Sequence, residues 1–319
     1  MTALEPRVFV DRPELATAIR EAFQDRSRIL LLGRPGSGRH AILLHTLEAI
    51  GAHATTLDLR AVQKATDVDG FFAQSTGQAD IRQALKHLDE QSKNTPTALV
   101  LRNVDGCSGS PQESAIIGDI RGEVQGVQSL SIFYTAQDRD FVARHFYAPD
   151  GAFLNQAVVV DVPDLHPSAV NEMMIARCGV IPSPAVSSAI VNYAGMRAAD
   201  LTLFFDRLAV HPQASAPTRE IVFDILKVIA LERAAMYDSL IHGNLSGQQR
   251  AILTAVAQGL PMRSDLKMVA ATGIPANTLT SGIRSLRRAG WVMQGGAVDR
   301  FDDPFLRMHL LLDAGTKPI

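Results

Sequence analysis

Cysteine is scarce in this chain: Cys107 and Cys178 are the only two in 319 residues, far apart and without metal-like spacing. That argues against a disulfide scaffold or a thiolate metal site and predicts inert, buried thiols. Long apolar runs are missing as well, and none approaches the ~18 residues of a membrane span. The opening stretch, MTALEPRVFVDRPEL, carries charge from its fifth residue and lacks the apolar block of a secretory signal. Nor is one sign of charge in excess. Lys and Arg number 31 against 33 Asp and Glu, a formal −2 at pH 7, so any basic surface has to be local. No repeat or low-complexity tract is visible. The expectation is a soluble, cytoplasmic protein with no membrane partner. Apolar residues, at 46%, suffice for a buried core in two or three domains.

Apolar spacing predicts a helix over 13–24, built on Leu15, Ala18, Ile19, Ala22 and Phe23. The short run RILLL at 28–32 ends in a glycine loop, and helical spacing returns over 41–50 with Leu43, Leu44, Leu47 and Ile50 on one side. Further β-rich runs occur at 54–59, 98–101, 131–135 and 157–161, with helices expected at 81–91 and 114–124. Strands alternating with helices predict an α/β fold with a three-layer parallel sheet. After Pro163 the strands stop, and helical patterns follow at 168–178, 184–194, 198–208 and 218–240, with a Pro, Ala and Ser-rich loop at 211–217. From Leu245 three more helices are expected, at 248–258, 265–271 and 275–289. Two strand-like runs at 291–293 and 297–301 then flank Gly295-Gly296, a hairpin turn pair. That order is a winged helix-turn-helix. The predicted domains are a phosphate-loop core at 1–164, a helical lid at 165–243 and a winged helix at 244–319.

Gly33, Arg34, Pro35, Gly36, Ser37, Gly38, Arg39 and His40 lie between the first strand and the following helix, where a phosphate-binding loop belongs. The pattern G-x-x-x-x-G-K-[ST] puts lysine on the β/γ-phosphates and a hydroxyl on magnesium. Here Gly33 and Gly38 keep the spacing, while Arg39 and His40 replace those two residues. Backbone N–H groups and the positive end of the helix dipole do most of the cradling, so anion binding is left open. Arg39 keeps the charge as a planar fork, and His40 is a poor ligand for magnesium, which prefers oxygen. The competing reading is a glycine turn with no ligand. The later strand at 98–101 leads into Arg102 and Asn103, where such sites carry an acidic pair for magnesium and for the attacking water. A fixed cation and an amide do neither job, although solvated residues at a strand end would look the same. Asp105 reads as a cap or surface residue. The four replacements leave the binding of ATP or ADP open, argue against magnesium, and predict weak or no hydrolysis.

With loop, altered acidic strand, helical lid and winged helix in this order, the chain resembles AAA+ ATPases of the STAND type. It is similar in particular to the archaeal-type ATPase group and the origin-recognition initiators. The resemblance rests on FVDRPELATAIREAF (9–23), LLLGRPGSGRH (30–40), ALVLRNVD (98–105) and FDDPFLRMHL (301–310), the last like the Asp-Pro-aliphatic signature that closes the family's winged helix. It implies an ATP-driven switch that works with a protein partner or as a homo-oligomer. It also implies sensor roles for Thr135 or Gln137 in IFYTAQD (132–138) and an arginine finger at Arg144 in VARHF (142–146). A further sensor is implied at Arg197 in NYAGMRAADL (192–201), where the archaeal-type group carries Gly-Gly-x-Pro.

Residues 244–298 hold six basic residues, Arg250, Arg263, Lys267, Arg284, Arg287 and Arg288, against one acid, Asp265. The third helix of this segment would bring Asn277, Thr278, Thr280, Ser281 and Arg284 into a major groove and Arg287 and Arg288 onto phosphates, with Leu279, Ile283 and Leu286 inward. Arg263 and Lys267 complete the expected DNA face. A protein-docking module is the alternative. Three functions stay open: a DNA-associated regulatory or assembly factor, a non-catalytic subunit of a larger ATPase complex (defence, replication or transposition), and an atypical ATPase working through Arg39 and Arg102.

Overall fold

The computed structural model describes residues 12–64, 68–293 and 300–316. The chain divides at Asp164 into two compact units, one built on Asp11–Asp164 and one on Leu165–Ile319.

The first unit runs α1 (Pro13–Gln24), β1 (Ile29–Leu32), α2 (Arg39–Ala49), β2 (His53–Asp58), α3 (Val68–Thr76), α4 (Ile81–Ser92), β3 (Thr97–Arg102), α5 (Glu113–Gln125), β4 (Ser131–Ala136), α6 (Arg139–Val142) and β5 (Val158–Asp161). The five strands are parallel in the order β2-β3-β4-β1-β5. In register, Leu30 sits between Tyr134 of β4 and Val159 of β5. β1, β3 and β4 are nearly wholly buried, as continuous apolar runs covered on both faces must be, whereas the edge strand β5 is largely open. Tyr134, Phe146 and Phe153 pack as a ring cluster with centroids 4.9–5.9 Å apart. α3 carries no clear helical signal in sequence because Gly70, Ser75 and Thr76 depress propensity; Phe71 and Phe72, both buried, hold it by packing. The carboxyl ends of β1, β3 and β4 converge on one edge, which is where ligands bind in open parallel sheets.

The second unit runs α7 (Ser168–Cys178), α8 (Pro184–Tyr193), α9 (Ala198–Ala209), α10 (Arg219–Glu232), α11 (Ala234–Asn244), α12 (Gly247–Ala257), α13 (Leu266–Thr272), α14 (Ala276–Arg288), β6 (Val292–Met293), β7 (Arg300–Phe301) and α15 (Pro304–Asp313). The single helix expected over 218–240 is two helices. Arg233 leaves helical geometry (φ −102°, ψ 3°), and its guanidinium lies 5.2 Å from the Phe305 ring centroid. No Gly or Pro marks that break, so the sequence carried no cue for it. β6 and β7 pair antiparallel, Val292 opposite Phe301, while the Gly295-Gly296 turn lies outside the described residues. The expected boundary at 243/244 does not separate two cores: Leu226, Ile229 and Tyr237 share one apolar cluster with Ile252, Val256, Phe305 and Leu310. Gly282 allows α14 to approach α12 closely, since a Cβ there would sit 2.8 Å from Ile252 Cδ1. Among the described residues no helix is long and apolar enough to cross a membrane.

Candidate functional site

The phosphate loop is shaped by its glycines. Gly36 and Gly38 have φ of 80° and 83°, left-handed values that L side chains rarely adopt. The Gly33 N–H donates to Ala136 O at 3.1 Å, fixing the loop to the end of β4. Arg12 Nη2 donates to Ser37 O at 2.7 Å, and Arg34 pairs with Asp164 at 2.6 Å. The amides of Gly36, Gly38, Arg39 and His40 find no backbone acceptor among the described residues, as expected for the N-terminus of α2. Ser37 is 1% exposed and its hydroxyl has no partner among the described residues. That hydroxyl is turned across the loop, 2.6 Å from where a Cβ on Gly33 would lie.

Arg39 is 9% exposed and folds back over the loop. Nη1 donates to Gly33 O (3.0 Å) and Arg34 O (2.9 Å), and Nη2 to Asn103 Oδ1 (3.0 Å). All three acceptors are neutral. Burial lowers the basicity of Arg39; the field of Asp105 opposes this, and those of Arg102 and Arg60 add to it. The two altered motifs are therefore joined by one hydrogen bond. Asn103 sits in the left-handed region (φ 51°), donates its N–H to Thr135 Oγ1 (3.0 Å), and donates Nδ2 to Asp58 Oδ1 (3.0 Å). Burial pushes the Asp58 carboxyl upward, but hydrogen bonds from Arg60 and Asn103 outweigh it and bring it down to about 2. Arg102 is half-buried, and its guanidinium makes no ion pair or hydrogen bond among the described residues. Burial first, then the nearby Arg102, lowers His40 to about 4, so the imidazole is neutral at pH 7; its Nδ1 is buried without a partner among the described residues.

These residues do not fit magnesium. The hydroxyl position is an imidazole, and the acidic positions are a guanidinium and an amide whose oxygen is taken by Arg39. Of the two carboxylates whose fields reach Arg39, Asp58 is engaged by Arg60 and Asn103, and Asp105 through Oδ2 by backbone amides, its Oδ1 being buried without a partner among the described residues. No group of three His, Cys, Asp or Glu side chains suited to a metal occurs among the described residues.

The remaining expected residues divide sharply. Thr135 is buried and spends its hydroxyl on Asn103, beside the loop network. Asp105, expected as a cap or surface residue, is 7% exposed and accepts the N–H groups of Gln137 (2.8 Å) and Asp138 (2.7 Å), capping the end of β4 from that of β3. Arg144 turns back on Glu113 (3.0 Å) and Ser108 (3.3 Å), so it is not extended as a finger. Burial pushes Glu113 up, yet His145, the Gly109 amide and Arg144 outweigh it and bring the carboxyl down to about 2. Arg197, in the second unit, is clamped by Asp200 (2.5 Å) and Asp302 (3.3 Å). On α14, Asn277, Thr280, Ser281, Arg284 and Arg288 are exposed on one face, opposite buried Leu279, Ile283 and Leu286; Arg263 and Lys267 are exposed too. Two corrections arise there. Thr278 is half-buried, and Arg287 turns inward to donate to Met262 O at 3.1 Å. Cys107 is buried, its thiol pushed up to about 11 mainly by burial, whereas Cys178 is only half-buried. Asp58 and Arg60 were not singled out in sequence; an acid at the carboxyl end of a strand was the available signal.

A phosphate loop between a buried first strand and its helix, in a parallel sheet of this strand order, defines the P-loop α/β fold of AAA+ ATPases, followed here by a helical C-terminal region. Solved structures agree. The chain is similar to a Walker-type ATPase of Pyrococcus abyssi at 15% identity, covering 95% of this chain and 96% of that one with a TM-score of 0.63. It is also similar to the ADP form of the ORC2 protein of Aeropyrum pernix (13% identity, 98% and 95% covered, TM-score 0.54) and to CDC6P of Pyrobaculum aerophilum (14%, 98% and 97%, TM-score 0.51). At these identities the likeness shows the fold. No family model and no curated protein matches the sequence.

Proposed function

We propose that this protein is a DNA-associated regulatory or assembly factor whose AAA+-type core hydrolyses ATP weakly or not at all and whose C-terminal segment is a DNA-binding winged helix. The observation that carries the reading is the outer face of α14: Asn277, Thr280, Ser281, Arg284 and Arg288 stand together and exposed, with no acid in the helix. The order α12, α13, turn, α14 and a strand pair is that of a winged helix, whose recognition helix reads the major groove. The weak-hydrolysis half is supported by Asn103, an amide that cannot polarise water and whose oxygen is already held by Arg39. The ADP form of the Aeropyrum protein favours ATP or ADP as the nucleotide.

The test uses the full chain. Fluorescence anisotropy with a DNA duplex should show binding at ~50 mM salt that falls steeply as salt rises, because bound phosphates release counterions. ATP turnover should stay near background. Absence of DNA binding at that salt overturns the DNA half, and magnesium-dependent turnover near 1 s⁻¹, about the low end for enzymes, overturns the other. A second reading, a non-catalytic subunit of a larger assembly, is favoured by exposed Val228 and Leu231 on α10 and Met236 and Leu240 on α11. Light scattering over a range of protein concentrations tests self-association through them.

A further inference from the structure

We propose that the phosphate loop binds a di- or triphosphate group without a divalent cation, with Arg102 standing in for the metal. This rests on the reading of the core as one that does not hydrolyse ATP efficiently, and names the ligand class that such a core takes.

Three observations converge. Arg39 is a nine-tenths-buried cation whose hydrogen bonds all go to neutral oxygens. An arginine does not shed its proton, and burying its charge is costly; Asp105 and Asp58 offset that cost only through space, with no bond to Arg39 among the described residues, so this position favours a further anion. Arg102 adds a second cation close to Arg39 and His40, half-buried and with no partner among the described residues. Asp58 and Asp105 supply opposing charge nearby, but neither bonds to Arg39 or Arg102 among the described residues: Asp58 is held by Arg60 and Asn103, and Asp105 Oδ2 by two backbone amides, with Oδ1 buried and unpartnered. Around the two cations lie unused hydrogen-bonding groups: the amides of Gly36, Gly38, Arg39 and His40, and the Ser37 hydroxyl, which is 1% exposed, unpartnered and turned across the loop.

The chemistry follows from charge. In a magnesium-dependent site a loop hydroxyl and one acid hold the metal, and the metal neutralises the phosphates. Here two guanidinium groups bring the positive charge directly, one from the start of α2 and one from the end of β3. Two cations beyond the amide cradle suit a ligand of more than one phosphate. A magnesium ion on that ligand would be repelled by Arg102. His40, neutral at pH 7, adds no charge but has one N–H to give.

The full chain is titrated calorimetrically with ATP, ADP and inorganic tripolyphosphate, each in EDTA and in magnesium. The expected result is binding in EDTA that magnesium does not strengthen. Arg102→Gln should weaken it about tenfold or more, the scale of one lost charged hydrogen bond. Because the Arg102 guanidinium has no partner among the described residues, this variant should keep the wild-type melting temperature and DNA affinity. Binding of ATP and ADP but not tripolyphosphate supports the proposal with a nucleotide as ligand; binding of all three supports it with the polyphosphate group as the recognised element. No binding in EDTA, binding only with magnesium, or an Arg102→Gln affinity equal to wild type each overturns it. DNA binding and turnover are read on the same preparation. Retained DNA binding and background turnover beside failed polyphosphate binding sink this inference alone, whereas magnesium-dependent turnover sinks the reading beneath it.

Discussion

Arg39 and Arg284 carry the same charge, each on a helix that opens after a turn, yet they meet opposite surroundings. Arg39 is folded into its own loop and bonded to Gly33, Arg34 and Asn103. Arg284 and Arg288 stand exposed on α14 with no partner among the described residues. Arg144 and Arg197 side with Arg39, each held by carboxylates of its own unit. Arginine content therefore says little about what a surface binds; the side of the helix on which each arginine falls relative to the buried stripe says more. Arg287 makes the point within one helix, sitting next to Arg288 and turned the other way.

Arg197 gives the largest expected effect and can break this comparison. Its side chain is 13% exposed and that of Asp200 8%, with the carboxylate 2.5 Å away. Removing the cation leaves a buried, uncompensated carboxylate, a loss of about 3–5 kcal/mol. Urea denaturation of Arg197→Ala should show a loss of that order, and adding Asp200→Ala should restore part of it. A loss under about 0.5 kcal/mol, typical of a surface substitution, would mean that Arg197 is free for another task.

Glu113 comes next. It binds Arg144 (3.0 Å), His145 (2.7 Å) and the Gly109 amide (2.6 Å), so Glu113→Gln should cost about 1.5–3 kcal/mol at pH 7, the range for hydrogen bonds to charged groups. The carboxyl is depressed from 4.5 to about 2, so its contribution is full above the unfolded value and is lost as pH falls through the folded one. Stability measured from pH 5 down to pH 2 should fall more steeply in wild type than in the variant. Parallel curves would show that Glu113 is no better paired folded than unfolded.

The sheet was legible in the sequence because its central strands are buried on both faces and appear as unbroken apolar runs, and because glycine spacing marks the loop between β1 and α2. The helix α3 and the break at Arg233 were not, since packing of Phe71 and Phe72 and the position of Phe305 decide them, not local propensity. At the site, the altered residues could be named from spacing alone. Their mutual bond could not: Arg39 and Asn103 are 64 positions apart and meet only when β1 and β3 share a sheet. That Asp105 is a buried cap and not a surface residue was hidden for a related reason. An acid just past a strand end is exposed unless the neighbouring strand's exit supplies amides to it, and here Gln137 and Asp138 do.

The smallest expected effects sharpen the comparison within α14 itself. Arg284 and Arg288 sit on the exposed face, so replacing both with Ala should leave stability within about 0.5 kcal/mol of wild type. If both contact DNA phosphates, the slope of log affinity against log salt should flatten by about 1.8, from roughly 0.9 per contact. Arg287 is half-buried and donates to Met262 O at 3.1 Å. Arg287→Ala should therefore do the reverse: cost about 1 kcal/mol in stability, the net worth of an ordinary hydrogen bond, and leave the salt slope unchanged. Anisotropy titrations of the full chain at several salt concentrations, beside thermal unfolding of the same samples, separate the two outcomes. A flattened slope in Arg287→Ala with unchanged stability would place the DNA contact on the wrong side of the helix and reverse the assignment of its two faces.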